Sequence, residues 1–136
     1  MDKSSSSEDY LKSILILRKK KGAVRSVDIA AEMGVTKASV CNAMKRLRKK
    51  NMVYFDADGC ILFTQEGSAA AEKIYEKHLL LSKLLRLMGV NETTADREAC
   101  LMEHAISDET YEHLSDYLSS FTDKGKERAG GGTTVT

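Results

Sequence analysis

Apolar residues recur at helical spacing along most of the chain, and serine, threonine or glycine separates the stretches that they define. Side chains three and four positions apart share one face of an α-helix, so each stretch predicts an amphipathic helix. Serine and threonine favour the position before a helix, whereas glycine favours its end. We predict helices at residues 8–21, 27–33, 37–51, 65–88, 95–106 and 108–121. The predicted caps are serines 5–7 for the first helix, Thr64 for the fourth, Thr93 or Thr94 for the fifth and Ser107 for the sixth.

The second and third predicted helices have the layout of a helix-turn-helix. Gly34 can adopt the positive φ that the turn requires, and Thr36 can cap the helix that follows. Two β-prone runs come next, Val53-Tyr54-Phe55 and Ile61-Leu62-Phe63, and Asp58-Gly59 between them is typical of a hairpin turn. This order predicts a winged helix, although a plain helical hairpin has a similar pattern in its first part.

The third predicted helix begins with small and polar side chains. In a winged helix this element enters the major groove, where asparagine can bond adenine and an alanine methyl can meet the methyl of thymine. Lysines there contact phosphates, and such contacts position the protein on DNA without selecting a base sequence. We predict DNA contacts from Thr36, Lys37, Ala38, Ser39, Asn42 and Lys45.

Charge is distributed unevenly along the chain. Residues 1–60 contain 13 Lys and Arg against 7 Asp and Glu, whereas residues 61–136 contain 8 against 13. A basic first part joined to an acidic second part favours a polyanion as the partner of the first part alone. This agrees with DNA binding, although the basic run at residues 18–21 is also typical of a solvated helix end.

Composition predicts a mainly α protein, because the 136 residues include no proline and only 9 glycines. We expect a winged-helix domain at residues 1–70, an all-α metal-binding and dimerisation domain at 71–123 and a disordered tail at 124–136. Surplus leucines in the second domain favour a two-fold helical interface. Three scattered cysteines and the lack of a long apolar run indicate a cytoplasmic protein without a membrane span. The inward positions of the sixth helix are predicted to be Tyr111, Leu114, Tyr117 and Leu118.

The segment Cys100-Leu101-Met102-Glu103-His104 carries the main candidate chemistry. On a helix, positions i, i+3 and i+4 share one face, so a thiolate, a carboxylate and an imidazole would converge and could hold a divalent transition metal. A small buried cysteine beside two solvated side chains has the same pattern. A thiol nucleophile with His104 as its base is a third interpretation. No oxyanion-hole loop or orienting group accompanies it, so we expect no enzyme activity.

Together these segments resemble the diphtheria-toxin-repressor family of metal-dependent regulators, which includes the iron-dependent repressors and the manganese transport regulators. The resemblance runs from Glu8 to about Phe121 and is most specific at residues 98–104. It implies a homodimer that binds a palindromic operator when Mn(II) or Fe(II) is bound and that represses genes of metal-ion homeostasis, with no organic substrate. Its other markers are Glu8-Asp9-Tyr10-Leu11, Ile29-Ala30, Val40, Thr64-Gln65-Glu66-Gly67 and Lys77-His78.

The resemblance also implies a set of metal ligands. Asp9 stands where manganese regulators have Asp, whereas Cys100 stands where iron regulators have Cys. The implied site is a hybrid of the two types, so the metal is either Mn(II) or Fe(II). Carried over by position, the ligands are Asp9, His78, Cys100, Glu103 and His104.

Three departures from the family pattern bear on a second metal. Lys12 stands where manganese regulators have another glutamate, and Ser82 and Asp96 replace a glutamate and a histidine of the iron regulators' second site. These departures favour a single well-formed site. The alternative function is a metal-independent winged-helix regulator that senses an organic ligand or a redox change at Cys100.

Overall fold

The computed structural model describes residues 3–129, with side chains described from residue 7 to residue 121. Within this range the chain is mainly helical and contains one two-stranded sheet. The order of its elements confirms the predicted fold, in which a helix-turn-helix and a hairpin precede an all-helical part. The elements are α1 (Lys3–Lys21), α2 (Ser26–Met33), α3 (Lys37–Lys49), β1 (Val53–Phe55), β2 (Ile61–Phe63), α4 (Gln65–Leu87), α5 (Glu92–Met102) and α6 (Asp108–Ala129).

The chain divides into two compact units, Met1–Glu76 and Lys77–Thr136. Helix α4 contributes its first part to the first unit and its remainder to the second. The predicted domain boundary after residue 70 lies within the same helix. Helix α6 continues to Ala129, beyond its predicted end at Phe121, and the rest of the predicted tail, residues 130–136, lies outside the described part.

Helices α1, α2 and α3 build one apolar core in the first unit. Ile14 from α1, Ile29 from α2 and Val40 from α3 are completely buried. Each lies on the apolar stripe that its helix turns inward, and burial of such stripes is the main source of stability for helices of this length. Other members of the core are Tyr10, Leu11, Leu15, Leu17, Val24, Ala43, Met44, Leu47, Val53, Ile61 and Ala71.

The turn between α2 and α3 forms as predicted. Gly34 ends α2 with a φ of 66°, in the left-handed region that a residue without Cβ adopts most easily. The Oγ1 atom of Thr36 accepts a hydrogen bond from the N–H of Ser39 at 3.1 Å and so caps α3.

The hairpin of β1 and β2 is attached to the loop before α2. Gly59 takes a positive φ of 83° in the hairpin turn. The N–H of Ile61 donates to the carbonyl of Val24 at 2.7 Å, and Nη1 of Arg25 donates to the carbonyl of Asp58 at 2.6 Å. Ile61 pairs with Phe55 beside the turn, so both bonds hold the turn end of the hairpin, the wing of the winged helix, against the loop before α2.

Gly67 lets the start of α4 lie directly against the segment that follows α3. A Cβ at this position would overlap with the carbonyl oxygen of Met52, so only glycine fits without a backbone shift. Thr64 closes the same contact. Its hydroxyl donates to the carbonyl of Asn51 at 2.6 Å and accepts the N–H of Gly67 at 3.0 Å, which confirms Thr64 as the cap of α4.

Two predicted helix starts are wrong. Helix α1 begins at Lys3, before the serines that were expected to cap it, because serine is only moderately unfavourable inside a helix. Helix α5 begins after Asn91, whose side-chain oxygen accepts the N–H of Thr93 at 2.9 Å. Thr93 and Thr94 therefore lie in the first turn, because asparagine is at least as good a cap as threonine.

One predicted core position of α6 is also wrong. Leu118 is buried, but Tyr117 is 61% exposed and its ring packs edge-on against Phe121 with 4.8 Å between centroids. Adjacent helical residues point about 100° apart, so Tyr117 leaves the stripe to which Leu118 belongs. Further exposed apolar side chains of the second unit are Leu79, Leu87, Met88 and Leu101.

Candidate metal centre and nucleic-acid interface

Three side chains of the second unit converge on one point. His78 lies on α4, Cys100 lies near the end of α5, and Glu103 is the C-cap residue directly after α5. His78 Nδ1 is 2.9 Å from Glu103 Oε1 and 3.7 Å from Cys100 Sγ. One donor atom from each residue lies within 4.8 Å of the other two. This spacing suits donors around one ion, because bonds from zinc to nitrogen, oxygen or sulfur measure about 2.0–2.3 Å.

Cys100 and Glu103 share a face of α5 as the sequence predicts. The N–H of Glu103 still donates to the carbonyl of Ala99 at 2.9 Å, and the dihedral angles of Glu103 are helical. The i, i+3 relationship between the two side chains is therefore kept, although Glu103 is the C-cap residue that follows the last residue of α5.

His104 does not share that helix, contrary to the prediction of a helix through residue 106. Helix α5 ends at Met102, and a turn follows it. The physical reason is the start of α6, where Ser107 Oγ accepts the N–H of Thr110 at 3.1 Å. A capping residue has non-helical backbone angles, so a helix through 106 and a cap at Ser107 compete for the same residues.

Glu103 is completely buried, and two imidazoles flank its carboxylate. Oε1 faces His78, while Oε2 lies 3.5 Å from Nε2 of His104, and the side chains of His78 and His104 are 16% and 11% exposed. A carboxylate out of water requires hydrogen bonds, an opposite charge or a metal. The convergence of carboxylate, imidazole and thiol donors therefore fits a divalent transition metal.

Asp9, the remaining predicted ligand, is half-buried on α1 in the first unit. Its part in metal binding stays a prediction from the resemblance. Ser82 and Asp96, which stand at positions of a second site, bond to each other: Ser82 Oγ donates to Asp96 Oδ1 at 2.6 Å. A carboxylate that is hydrogen-bonded to a buried serine offers fewer ligands for a second metal than a histidine and a glutamate would.

The predicted DNA-contacting side chains are all exposed, and they lie on α3 from its cap, Thr36, to Lys45. The opposite side of α3 is buried through Val40 and Leu47, so the helix presents a polar face outward. The hydroxyls of Thr36 and Ser39 bond to each other at 3.0 Å, which orders the start of the helix. Which of these exposed residues reach base edges stays a prediction.

Two arginines of the first unit have contacts that were not predicted from the sequence. The guanidinium of Arg48 lies 5.3 Å from the ring centroid of Phe55 on β1, a cation–π contact between α3 and the wing. The backbone N–H of Arg25 donates to Asp28 at 2.9 Å, the carboxylate half of a capping box. Asp28 at the third position of α2 was the signal for this motif.

The carboxylate of Asp28 also accepts a hydrogen bond from the Lys21 ammonium at 2.8 Å. Two hydrogen bonds lower the pKa of Asp28 below its usual 3.8: the larger effect comes from Lys21 and the smaller from the backbone N–H of Arg25. The carboxylate therefore joins the end of α1 to the start of α2 in its charged form.

Two family models match the chain over most of its length. Residues 2–59 match the N-terminal DNA-binding domain of iron-dependent repressors, and residues 64–129 match their metal-binding and dimerisation domain. The chain belongs to the iron-dependent repressor family. This family comprises metal-dependent transcriptional regulators, so the chain is a regulator and not an enzyme, as predicted.

Individual relatives agree with this assignment. The regulator is 33% identical over 123 residues to an uncharacterised HTH-type transcriptional regulator of Methanocaldococcus jannaschii, covering 89% of this chain and 98% of the relative. It is 30% identical over 116 residues to the HTH-type transcriptional regulator MntR of Geobacillus thermodenitrificans, covering 85% of this chain and 82% of MntR.

Solved structures of similar regulators have the same fold. The manganese regulator SloR superimposes with a TM-score of 0.74 at 30% identity, covering 83% of this chain and 53% of SloR. ScaR with bound zinc superimposes with a TM-score of 0.69 at 29% identity, again over 53% of its chain. The regulator thus spans about half the length of these solved chains. None of its described helices is long and apolar enough to cross a membrane.

Proposed function

We propose that this regulator binds one Mn(II) or Fe(II) ion per subunit and, as a metal-bound homodimer, represses genes of metal-ion homeostasis at a palindromic operator. The observation that carries the proposal is the buried carboxylate of Glu103, with His78 at 2.9 Å and a thiol within the same cluster. The names of its relatives support the metal class, because SloR is a manganese regulator and ScaR has been seen with zinc.

The proposed ligands are those implied by the resemblance. Cys100, Glu103 and His78 form the cluster described above, and His104 and Asp9 complete the set. Asp9 belongs to the DNA-binding domain, so its ligation would couple metal binding to the state of that domain. Coupling of this kind is reciprocal, so operator DNA should tighten metal binding by the same factor by which metal tightens DNA binding. The coupling free energy is typically about 1–3 kcal/mol.

The proposed DNA contacts come from α3 and its cap, at Thr36, Lys37, Ala38, Ser39, Asn42 and Lys45. In a two-fold dimer these helices would read half-sites separated by about one helical turn, ~34–36 Å. The exposed apolar side chains of the second unit, including Leu87 and Leu101, supply the kind of surface on which a homodimer can form.

The deciding experiment measures DNA binding against metal concentration. Protein purified without oxygen would be titrated with Mn(II) and Fe(II) separately, on an operator selected from random DNA. We expect either metal to strengthen the shift of the operator, and Asp9→Ala or His104→Ala to abolish that response without unfolding the protein. Glu92→Ala, which removes an exposed carboxylate from α5, is the matched control.

Two outcomes would contradict the proposal. Operator binding that ignores both metals would favour the metal-independent regulator that senses an organic ligand. Binding that responds to peroxide and dithiothreitol but not to metal would favour a redox role for Cys100 instead.

A further inference from the structure

Lys77 is a buried lysine beside the proposed metal centre. It is 7% exposed, and it precedes His78 directly on α4. An ammonium out of water is unfavourable unless hydrogen bonds and an opposite charge compensate it. Its Nζ donates to the carbonyl of Ile106 at 3.2 Å and lies 3.2 Å from Oδ1 of Asp108. These two contacts compensate the charge of the Lys77 ammonium.

Ile106 and Asp108 lie at the far end of the turn that carries Glu103 and His104, two of the proposed ligands. Residues 103–107 join α5 to α6 without regular secondary structure. Inside the turn, the N–H of Ala105 bonds the carbonyl of Met102 at 2.9 Å, a short-range contact that does not attach the turn to α4. Glu103 contacts α4 through His78 at one end of the turn, and Ile106 contacts α4 through Lys77 at the other.

We infer that Lys77 is a positioning residue of the metal centre: its ammonium, held by Ile106 and Asp108, fixes the turn that carries Glu103 and His104 against α4. The inference rests on the proposed function, because the position of these side chains matters for metal affinity only if they bind a metal. Groups that orient metal ligands through contacts outside the coordination shell commonly change metal affinity by about 10–100-fold.

Electrostatic repulsion makes the opposite prediction. A lysine near a bound cation disfavours that cation, so removal of the charge alone would tighten metal binding. The carboxylate of Asp108 at 3.2 Å offsets the field of the ammonium, which leaves positioning as the larger effect. The sign of the change in affinity therefore separates the two roles.

The structure offers a graded set of variants. Lys77→Met keeps the length and the apolar stem of the side chain but removes the ammonium, whereas Lys77→Arg keeps a charge and hydrogen-bond donors. Asp108→Asn removes the charge of the carboxylate that pairs with Lys77, on a side chain that is 55% exposed, and serves if Lys77→Met does not fold. Lys83→Met is the matched control, because Lys83 is exposed on the same helix.

Three quantities would be measured on the full-length protein. They are the dissociation constants for Mn(II) and Co(II), the amide hydrogen exchange of residues 103–107 without metal, and the urea midpoint. We expect Lys77→Met to weaken metal binding by about 10–100-fold and to speed exchange in the turn. Asp108→Asn should do the same to a smaller extent, Lys77→Arg should restore most of the affinity, and Lys83→Met should change nothing.

Each contrary result has a distinct meaning. Unchanged or tighter metal binding in Lys77→Met or Asp108→Asn, with wild type binding metal normally, would overturn the positioning role alone. A lowered urea midpoint with unchanged metal affinity would likewise overturn it and leave Lys77 as a residue that only stabilises the fold. Wild-type protein that binds neither metal would refute the proposed function, and the positioning role with it.

Discussion

The buried carboxylate of Glu103 lies 2.9 Å from Nδ1 of His78, although 25 positions separate the two residues along the chain. The contact joins the end of α5 to the middle of α4. Cys100, one helical turn before Glu103, is brought to the same imidazole at 3.7 Å. Two helices of one unit thus assemble three different donor types around a single point, which makes each donor separately testable.

Glu103→Gln should weaken Mn(II) binding by more than the ~10–100-fold that loss of an outer partner causes. The amide has the size of the carboxylate but lacks its charge, so the fold should persist while the ligand is lost. Isothermal titration with Mn(II) measures the effect, with Glu92→Gln as an exposed control on α5. Wild-type affinity in Glu103→Gln would show that the buried carboxylate is not a ligand.

Cys100→Glu should shift metal preference from softer towards harder ions. Thiolates favour metals such as zinc and cobalt, whereas carboxylates suit manganese, so the ratio of zinc to manganese affinity should fall. Competition titrations measure that ratio, and cobalt-loaded wild type should show a thiolate charge-transfer absorption that Cys100→Glu lacks. Cys41→Ser, at an exposed cysteine on α3, should keep both properties. A cobalt spectrum unaffected by loss of Cys100 would exclude the thiol from the site.

Gly67→Ala should destabilise the winged helix. The added methyl meets the backbone carbonyl of Met52, which cannot move without disturbing the segment that leads into β1. Overpacking of this kind typically costs about 1–3 kcal/mol of unfolding free energy. Urea denaturation measures the loss. Ser68→Ala at the next position should be neutral or slightly stabilising, because alanine is the better helix former.

Asp28→Asn should lower stability at neutral pH and lose its effect in acid. The folded protein holds the pKa of Asp28 below 3.8, so the charged carboxylate stabilises the fold above that pH and the contribution disappears as the pH falls through the lowered value. Exposed pairs contribute about 0.2–1 kcal/mol, which sets the expected size. Urea unfolding at pH 7 and pH 3 gives the comparison, with Glu32→Gln as an exposed control on α2. A difference that stays constant with pH would assign the effect to something other than this charge.

Asn42→Ala and Lys45→Ala should weaken DNA binding in different ways. Removal of a side chain that contacts a base edge weakens specific binding by about 1–3 kcal/mol. A phosphate contact lowers specific and non-specific binding alike and reduces the salt slope by about 1. We expect the first behaviour from Asn42→Ala and the second from Lys45→Ala, in titrations at several salt concentrations. Equal losses on operator and random DNA for both variants would remove Asn42 from the base-reading set.

The sequence predicts those parts of the fold that depend on neighbouring residues. Gly34 and Thr36 define the turn of the helix-turn-helix because a positive φ and a side-chain cap need only the next few residues. The hairpin follows from Asp58-Gly59 and its flanking β-prone runs for the same reason. Its attachment through Arg25 to Asp58 was not predictable, because 33 positions separate the donor from its acceptor.

Local rules failed where two of them competed. Helical spacing extended α5 to residue 106, but the cap at Ser107 requires the chain to leave the helix earlier. The apolar content of α6 suggested that Tyr117 is buried, whereas the direction of its side chain leaves it exposed beside Phe121. In both cases the competing signals are visible in the sequence, but their balance is decided by packing.

The proposed metal centre shows the same division between sequence and structure. The spacing of Cys100 and Glu103 alone puts both on one helix face, because three residues of α-helix make nearly one turn. Only the tertiary structure brings His78 to them and Lys77 to Ile106, because the packing of α4 against α5 and the turn after it sets distances between residues more than 20 positions apart. The donor types can be read from the sequence, whereas the packing of the helices selects those that meet.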